Sequence, residues 1–313
     1  MNPLSRCAAD EPLPGRRSRL CSRLLALALG LASTGLLATV QDVGSGSYSR
    51  GLNVVPVYEG WRYADDGSIE MLFGYLNRNW DQAIDVAIGP DNTVEPGGPD
   101  RGQPTHFLSR RGLFVFAVRV PADFGANEVV WTLTSAGRTQ RAYGTTKPGY
   151  FIDNGVIAMN HGGGSSTGPE NLQNRAPELA VAGPVRLQAR VGQPLTLEAV
   201  ARDDGIPRTR SLAPLDPRRT SGLTVTSATG LRLAWFVYRG SGSAVVFNPA
   251  QFKVNVDMRD GSPWTPGWQV PPVPPDSRWT TRVTFHEPGQ YILRCLAHDG
   301  MLPTYHDVEV TVS

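Results

Sequence analysis

Short runs in which apolar residues occupy every second position constrain the fold of this chain more than any other sequence feature. In residues 68–75, Ile69, Met71, Phe73 and Tyr75 share one parity. Because successive side chains of a strand point to opposite faces, this period of two predicts a strand with one buried face. Gly, Pro, Asn and Asp separate the runs, and almost no helical periodicity accompanies them. The pattern therefore predicts antiparallel strands.

The same alternation recurs along most of the chain. It predicts further strands over residues 113–120, 128–134, 193–202, 231–238, 279–285, 291–298 and 305–313. The inward side chains are predicted to be Phe114, Phe116, Val118, Val120, Val129, Trp131, Leu133, Leu195, Leu197, Ala199, Ala201, Leu231, Leu233, Trp235, Val237, Tyr291, Leu293, Cys295, Ala297, Val308, Val310 and Val312. The predicted fold class is all-β, with two antiparallel β-sandwich domains.

A break rich in Gly and Ser divides the strand pattern into two blocks. Residues 160–177 read NHGGGSSTGPENLQNRAP, a composition that buries too little surface to offset its ordering entropy. We predict an N-terminal sandwich at residues 54–153, a linker at 154–177 and a C-terminal sandwich at 178–313. The Pro-rich residues 264–279 are expected to run over the surface in an extended form.

The first forty residues have the layout of an export signal. A polar stretch containing Arg16, Arg17 and Arg23 precedes the apolar residues 24–40, and a polar Gly/Ser segment follows. We predict that residues 1–40 are a signal peptide or, through residues 24–40, a membrane anchor. The general secretory and twin-arginine routes both stay open. The expected location is secreted, periplasmic or at the cell surface, with membrane contact only through this segment.

Charge and cysteine content exclude two further kinds of protein. The formal net charge is +2, and no basic stripe lies outside the N-terminal segment, so nucleic-acid binding is not expected. Cys7 and Cys21 belong to the export segment, so Cys295 alone remains after cleavage and no internal disulfide is expected. Its parity predicts a buried structural thiol.

The second block resembles the PKD-like and related immunoglobulin-like modules of secreted bacterial proteins. The resemblance covers residues 174–313 and rests on NRAPEL, VGQPLTLEAVARDDGIP, a Trp-bearing strand around Trp235, and EPGQYILRCLAHDG followed by VEVTV. It implies a seven-stranded immunoglobulin-like sandwich that serves as a spacer or contact surface, and it implies no catalytic residue. Residues 206–230 depart from it as a longer insertion. Residues 54–153 are similar to uncharacterised exported bacterial segments that share FGYLNRN, GPDN, GQPTHF and VVWTL.

Residues 89–107, GPDNTVEPGGPDRGQPTHF, are the most conspicuous loop. Asp91 and Asp100 are oxygen ligands of the kind that calcium takes, but their spacing matches no calcium loop. The alternative is a turn that Pro residues stiffen and side-chain hydrogen bonds brace. The composition favours the braced turn.

Two other polar groups are candidate metal sites. Asp203, Asp204 and Asp299 lie at predicted loop ends, where they either bind calcium or cap turns. His298 and His306 flank one turn, but strand parity places His298 outward and His306 inward, which argues against a shared metal. The prediction is therefore no cofactor, with calcium as the alternative.

Two short motifs match those of hydrolases in sequence alone. They are HGGG at residues 161–164 and the G-x-S-x-G pattern of Gly164, Ser166 and Gly168. A nucleophile elbow needs a strand before the Ser and a helix after it, whereas this Ser lies in the predicted linker.

Trp264, Trp268 and Trp279, in or beside the Pro-rich stretch, are candidate exposed contact residues. The leading hypothesis is an exported, non-enzymatic interaction or structural module that contacts a protein or polysaccharide at the cell surface or in the periplasm. A carbohydrate-binding accessory protein is the alternative, and a secreted hydrolase is the weaker one.

Overall fold

The computed structural model describes residues 48–162, 169–214 and 226–313. The signal or anchor predicted for residues 1–40 lies outside these residues. From Ser47 to Ser313 the chain forms one compact unit. In the described part of the chain, no helix has both the length and the apolar character needed to cross a bilayer.

The N-terminal half is an antiparallel β-sandwich. Its strands are β1 Val54–Tyr63, β2 Ile69–Asn77, β3 Ile84–Asp85, β4 Asn92–Glu95, β5 His106–Phe107, β6 Arg110–Val120, β7 Val129–Ser135 and β8 Arg138–Gly144. They form sheets in the orders β1-β2-β6 and β4-β7-β8, with β3 and β5 as a short separate pair. The predicted inward side chains of β2 and β7 are buried in one core, which confirms their parity.

Phe114 is an exception to the predicted parity of β6. Three residues, 113–115, lie opposite the single residue Gly74, and Phe114 has a φ of 47°. This bulge turns the Phe114 side chain away from the core that holds Phe116 and Val118. Phe114 is buried instead in a separate apolar cluster on the other face of the sheet. The prediction that it points into the main core is wrong.

The segment between the halves contains a short helix. Helix α1, Asn154–Asn160, begins after Asp153, whose side chain accepts a hydrogen bond from the Val156 amide at 2.9 Å. Its buried residues Ile157 and Ala158 join Phe114 in the separate cluster. Part of the predicted linker is therefore packed structure, while the proposed domain boundaries stay a prediction.

The C-terminal half is an immunoglobulin-like sandwich. Its strands are β9 Glu178–Val181, β10 Arg186–Ala189, β11 Leu195–Arg202, β12 Arg232–Arg239, β13 Val245–Asn248, β14 Arg278–Phe285, β15 Gly289–His298 and β16 Pro303–Val312. One sheet has the order β13-β14-β11-β9 and the other β10-β16-β15-β12. β10 pairs with β16 in parallel, and the other pairs are antiparallel. Seven of these strands have the order of the two sheets in constant-type immunoglobulin domains, and β10 is an eighth strand beside β16, so the seven-stranded expectation is one strand short.

Two side-chain features support the immunoglobulin-like assignment. Buried Trp235 on β12 lies opposite Cys295 on β15, and both belong to the core. The Tyr291 hydroxyl donates to the Glu287 carbonyl at 2.9 Å, as in the tyrosine corner of these domains. Cys295 is a free, buried thiol, as predicted, and burial raises its pKa.

The outward face of β15 is also buried. Leu296 and His298 are almost inaccessible to solvent, and the Arg294 guanidinium donates to the Val115 carbonyl of the N-terminal sandwich at 2.5 Å. The prediction that His298 points into solvent is wrong, because parity identifies the opposite face of a strand but not what covers it. We call the boundary between the two sandwiches the seam.

Hydrogen bonds and an ion pair also connect the sandwiches across the seam. Arg239 forms a bidentate ion pair with Asp100 at 2.9 and 2.8 Å. The Tyr238 hydroxyl donates to the Gly102 carbonyl at 2.5 Å, and Asn255 donates to the Tyr75 hydroxyl at 2.9 Å. The loop of residues 89–107 therefore contacts the C-terminal sandwich directly.

Candidate functional site

An open cleft of about 880 Å³ lies where α1 meets both sandwiches, and we call it the junction cleft. The N-terminal sandwich contributes the ends of β1, β2 and β6, and the C-terminal sandwich contributes the turn between β15 and β16. The cleft is therefore built from residues far apart in the sequence.

Exposed apolar side chains line the cleft. Tyr63 is 61% exposed, Phe151 48%, Met159 59% and Leu172 84%. The buried ring of Trp61 fixes the first two, with centroid distances of 5.3 Å to Tyr63 and 5.2 Å to Phe151. Exposed apolar side chains grouped in this way are characteristic of binding surfaces.

Three charged side chains of the cleft, Arg62, Glu70 and Arg119, form ion pairs. Glu70 accepts from Arg62 at 3.0 Å and from Arg119 at 3.2 Å. Arg119 also contacts Asp66 at 3.2 Å. Asp65 and Asp153 also line the cleft and form no ion pair among the described residues, so the cleft has an ionic border of both signs beside its apolar rings.

The prediction that Trp264, Trp268 and Trp279 are exposed contact residues is wrong. Trp264 is only 3% exposed, because the turn that carries it packs against the chain at Ala228, whose amide donates to the Pro263 carbonyl at 2.8 Å. Trp268 is half-buried against Phe252, at 5.8 Å between ring centroids. Trp279 is half-buried against the C-terminal core. None of the three is a freely exposed ring.

The loop of residues 89–107 is a braced turn, as the sequence favoured. Asn92 is fully buried in β4 and donates to the carbonyls of Val86 at 3.0 Å and Pro104 at 2.9 Å. Gln103, also fully buried, donates to the Pro99 carbonyl at 2.6 Å. The bracing residues are thus Asn92 and Gln103, together with Asn77, which donates to the Phe107 carbonyl at 3.0 Å. Buried amides among Gly and Pro residues were the available sequence signal.

Four of the five calcium candidates accept hydrogen bonds from turn amides, Asp100 among them from Gly102 at 3.0 Å. Asp91 is exposed, and Asp100 pairs with Arg239. Asp203 accepts from the Gly205 amide at 3.0 Å, and Asp204 accepts from the Ile206 amide at 2.8 Å. Among the residues described, no group of three or more His, Cys, Asp or Glu side chains is arranged to hold a metal ion.

Asp299 is the most deeply buried of these carboxylates. It accepts from the amides of Met301 and Leu302, both at 2.6 Å, and from Asn174 at 3.0 Å. Nearby, Asp203 Oδ1 and Asn174 Oδ1 are buried and accept no hydrogen bond. Desolvation raises the pKa of Asp203 to about 6, and the charges of Asp299 and Asp204 add to this effect.

The hydrolase candidates Gly164, Ser166 and Gly168 lie outside the described residues. His161, at the start of that motif, is described. It is buried, and its Nδ1 lies 3.0 Å from the Ile157 carbonyl. Because a carbonyl can only accept, Nδ1 carries the proton of this contact.

No family model and no curated protein sequence matches the chain. Comparison with solved structures finds domains 4 and 5 of the S-layer protein SbsC, at a TM-score of 0.23 and 10% identity over 83% of this chain and 98% of that one. It also finds the Yersinia pseudotuberculosis adhesin InvE, at a TM-score of 0.22 and 11% identity over 84% and 60% of the two chains. The titin fragment I67–I69 gives 0.22 and 8% identity over 83% and 64%. Superpositions this weak carry no functional argument, so function is argued from the site itself.

Proposed function

We propose that this chain is an exported, non-enzymatic interaction or structural module, and that the junction cleft is its contact surface. The observation that supports the proposal is the group of exposed apolar side chains, carried by β1 and by the segment between the halves, around a cleft that the turn between β15 and β16 helps to line. The N-terminal sequence supports export to the periplasm or cell surface. The motifs EPGQYILRCLAHDG and VEVTV support a PKD-like module within the immunoglobulin-like class.

The charges of the cleft support a binding role over a catalytic one. A reaction centre needs a group whose proton affinity or exposure is adjusted for chemistry. In the junction cleft, Arg62, Glu70 and Arg119 are bound to one another instead. We propose that the module works without a cofactor. Calcium near Asp203 and Asp299 is the alternative, which the unpaired oxygens Asp203 Oδ1 and Asn174 Oδ1 support.

The composition of the cleft favours a protein partner. Aromatic residues, Met and Arg are enriched in protein interfaces, and the cleft presents all three kinds. A polysaccharide is the alternative, because the exposed rings of Tyr63 and Phe151 lie 6.4 Å apart and are able to stack on sugar faces. In the carbohydrate alternative, Tyr63 and Phe151 replace the three tryptophans as the sugar-binding residues.

The double variant Tyr63→Ser, Phe151→Ser tests the proposal. We expect the purified exported protein to bind envelope preparations from the producing cells, and the double variant to bind at least about tenfold more weakly, since buried aromatic anchors contribute 1 kcal/mol or more each. Tyr143→Ser is the matched control, because Tyr143 is 51% exposed on β8, outside the cleft. Equal binding by the double variant and the control variant would contradict the proposal.

Two treatments of the envelope separate the partner classes. Protease digestion abolishes binding to a protein partner, whereas periodate oxidation abolishes binding to a polysaccharide. We expect sensitivity to protease. Sensitivity to periodate alone would assign the cleft to a polysaccharide.

A further inference from the structure

A narrow cavity runs through the seam, separate from the junction cleft, and we call it the seam cavity. It leaves about 30 Å³ for the centres of water-sized guests. Since one water needs about 10–15 Å³ by this measure, the seam cavity admits a guest of one or two heavy atoms. Sulfate and phosphate, with five heavy atoms, are too large.

Two buried nitrogens in the lining of the seam cavity lack hydrogen-bond partners. They are Trp264 Nε1 and His298 Nε2, and both side chains are almost inaccessible to solvent. A buried N–H without an acceptor costs about 1–3 kcal/mol, so such groups are rare in folded proteins. Two in one cavity make it suited to a guest that accepts hydrogen bonds.

Both nitrogens are donors. The indole nitrogen of a tryptophan can only donate. His298 Nδ1 accepts a hydrogen bond from the Gly300 amide at 2.7 Å, so the proton of the neutral ring lies on Nε2. Burial keeps that ring neutral by lowering the pKa of His298 well below its usual value. A guest that pairs with these nitrogens must therefore accept hydrogen bonds from both of them.

The charges around the seam cavity favour a negative guest. Arg111 and Arg294 line it, and their ion-pair partners Glu59 and Asp307 lie outside the lining, which holds no Asp or Glu side chain among the described residues. A third guanidinium, that of Arg232, is buried beside His298, donates to the carbonyls of Ala228 and Gly230, and has Asp299 as its nearby opposite charge. A water molecule that accepted from both nitrogens would bring two hydrogens, for which His161 Nε2 is an acceptor in the lining, whereas an anion brings none.

We propose that the seam cavity binds one small monovalent inorganic anion of the size of chloride, with Trp264 Nε1 and His298 Nε2 as its donors. The anion occupies the boundary between the sandwiches, because residues of the N-terminal half, Tyr75 and Val115 among them, form the opposite wall. Anion binding thus stabilises the closed seam. It is independent of any partner in the junction cleft.

Thermal unfolding in different sodium salts at matched ionic strength tests this proposal. We expect the melting temperature to rise saturably with chloride or bromide, as for a ligand that binds only the folded state. Gluconate and sulfate should not raise it in the same saturable way, because neither fits the cavity. Matching the ionic strength removes the general effect of screening. Melting curves that are identical in chloride and gluconate would overturn the proposal.

The variant Trp264→Phe removes one donor while keeping an aromatic ring. We expect chloride affinity to fall at least about tenfold, since a hydrogen bond to a charged group is worth about 1.5–3 kcal/mol. Trp279→Phe is the matched control, because Trp279 lies on β14 and does not line the cavity. This control should keep the chloride dependence of the native protein.

A bromide-soaked crystal gives a test that needs no variant. We expect an anomalous bromide peak within hydrogen-bond distance of Trp264 Nε1 and His298 Nε2. Two ordered waters at these positions, without an anomalous peak, would overturn the proposal.

Discussion

At the scale of single residues, Asn92 organises a segment whose composition otherwise suggests an irregular loop. Besides its two donated hydrogen bonds, its Oδ1 accepts from Trp131 Nε1 at 3.0 Å. One buried amide thereby joins residues 86, 104 and 131. Because the Asn92 side chain pairs with these backbone carbonyls, they are satisfied without regular strand pairing in the loop.

We expect Asn92→Ala to lower the free energy of unfolding by about 3–5 kcal/mol. The substitution leaves the Val86 and Pro104 carbonyls and the Trp131 indole without partners, at about 1–3 kcal/mol for each buried group before relaxation. Denaturant unfolding measures the change. Asp91→Ala, at the exposed neighbouring position, should change stability by less than about 0.5 kcal/mol. Similar losses for both variants would show that the amide network does not hold the loop.

At the scale of elements, β15 is buried on both faces. Tyr291, Leu293, Cys295 and Ala297 pack into the C-terminal core. On the other face, Arg294 pairs with Asp307 at 2.6 and 2.8 Å, and its guanidinium lies 3.4 Å from the Tyr238 ring centroid. Together with its bond to Val115, Arg294 links two sheets and both sandwiches.

We expect Arg294→Met to destabilise the protein by about 1–3 kcal/mol, since it removes the charged donor of the Val115 carbonyl in the seam, whereas Asp307 is 39% exposed and stays hydrated. The aliphatic side chain keeps much of the packing volume, so the loss reports on charge and hydrogen bonding. Arg282→Met on β14 is the control, because that arginine is exposed. Denaturant midpoints of the two variants provide the comparison. An Arg294→Met protein as stable as the Arg282→Met protein would remove Arg294 as a seam anchor.

The sequence predicted which strand faces point into each sandwich core. It did not predict which side chains outside those cores are buried. Alternation identifies one face of β2, β7, β12 and β15, because a single core selects that parity. It does not reveal that a second layer covers the other face, which is why His298 and Trp264 were expected in solvent. Phe114 was misplaced because a bulge resets parity without a clear sequence signal. The junction cleft joins residues distant in sequence, so no local pattern indicates it.

At the scale of the whole molecule, two buried histidines meet in the seam. The rings of His161 and His298 lie 4.7 Å apart, edge to face. Burial, with a smaller contribution from the nearby Arg232 charge, lowers the pKa of His161 to about 4. The same two causes lower the pKa of His298. Acid therefore places unfavourable charge at the boundary that joins the two sandwiches.

We expect the free energy of unfolding to fall as the pH is lowered from about 6.5 towards 4. In this window the unfolded chain protonates both histidines while the folded chain does not, so the unfolded state binds more protons and stability decreases with acid. Because one pKa unit corresponds to about 1.4 kcal/mol, His161 alone accounts for about 3 kcal/mol. Denaturant unfolding at a series of pH values measures the slope.

The variant His161→Gln isolates the histidine contribution. Asp203 acts in the opposite sense, because its raised pKa gives stability at low pH that is lost as the pH rises through about 6. Comparing slopes, rather than absolute stabilities, cancels this contribution. We expect a shallower slope for His161→Gln and an unchanged slope for His286→Gln, at an exposed position. Parallel slopes for all three proteins would assign the acid sensitivity to other groups.

The junction cleft takes its walls from both halves of the chain, and this bears on how such a protein can evolve. Tandem domains that fold independently can be duplicated, reordered or exchanged between genes, since each has its own binding surface. Here both halves contribute residues to the proposed contact surface, and both contribute to the ion pair between Arg239 and Asp100. Recombination that transferred either half alone would separate the rings of Tyr63 and Phe151 from the turn at Met301. We therefore expect the two halves to be inherited together as one unit.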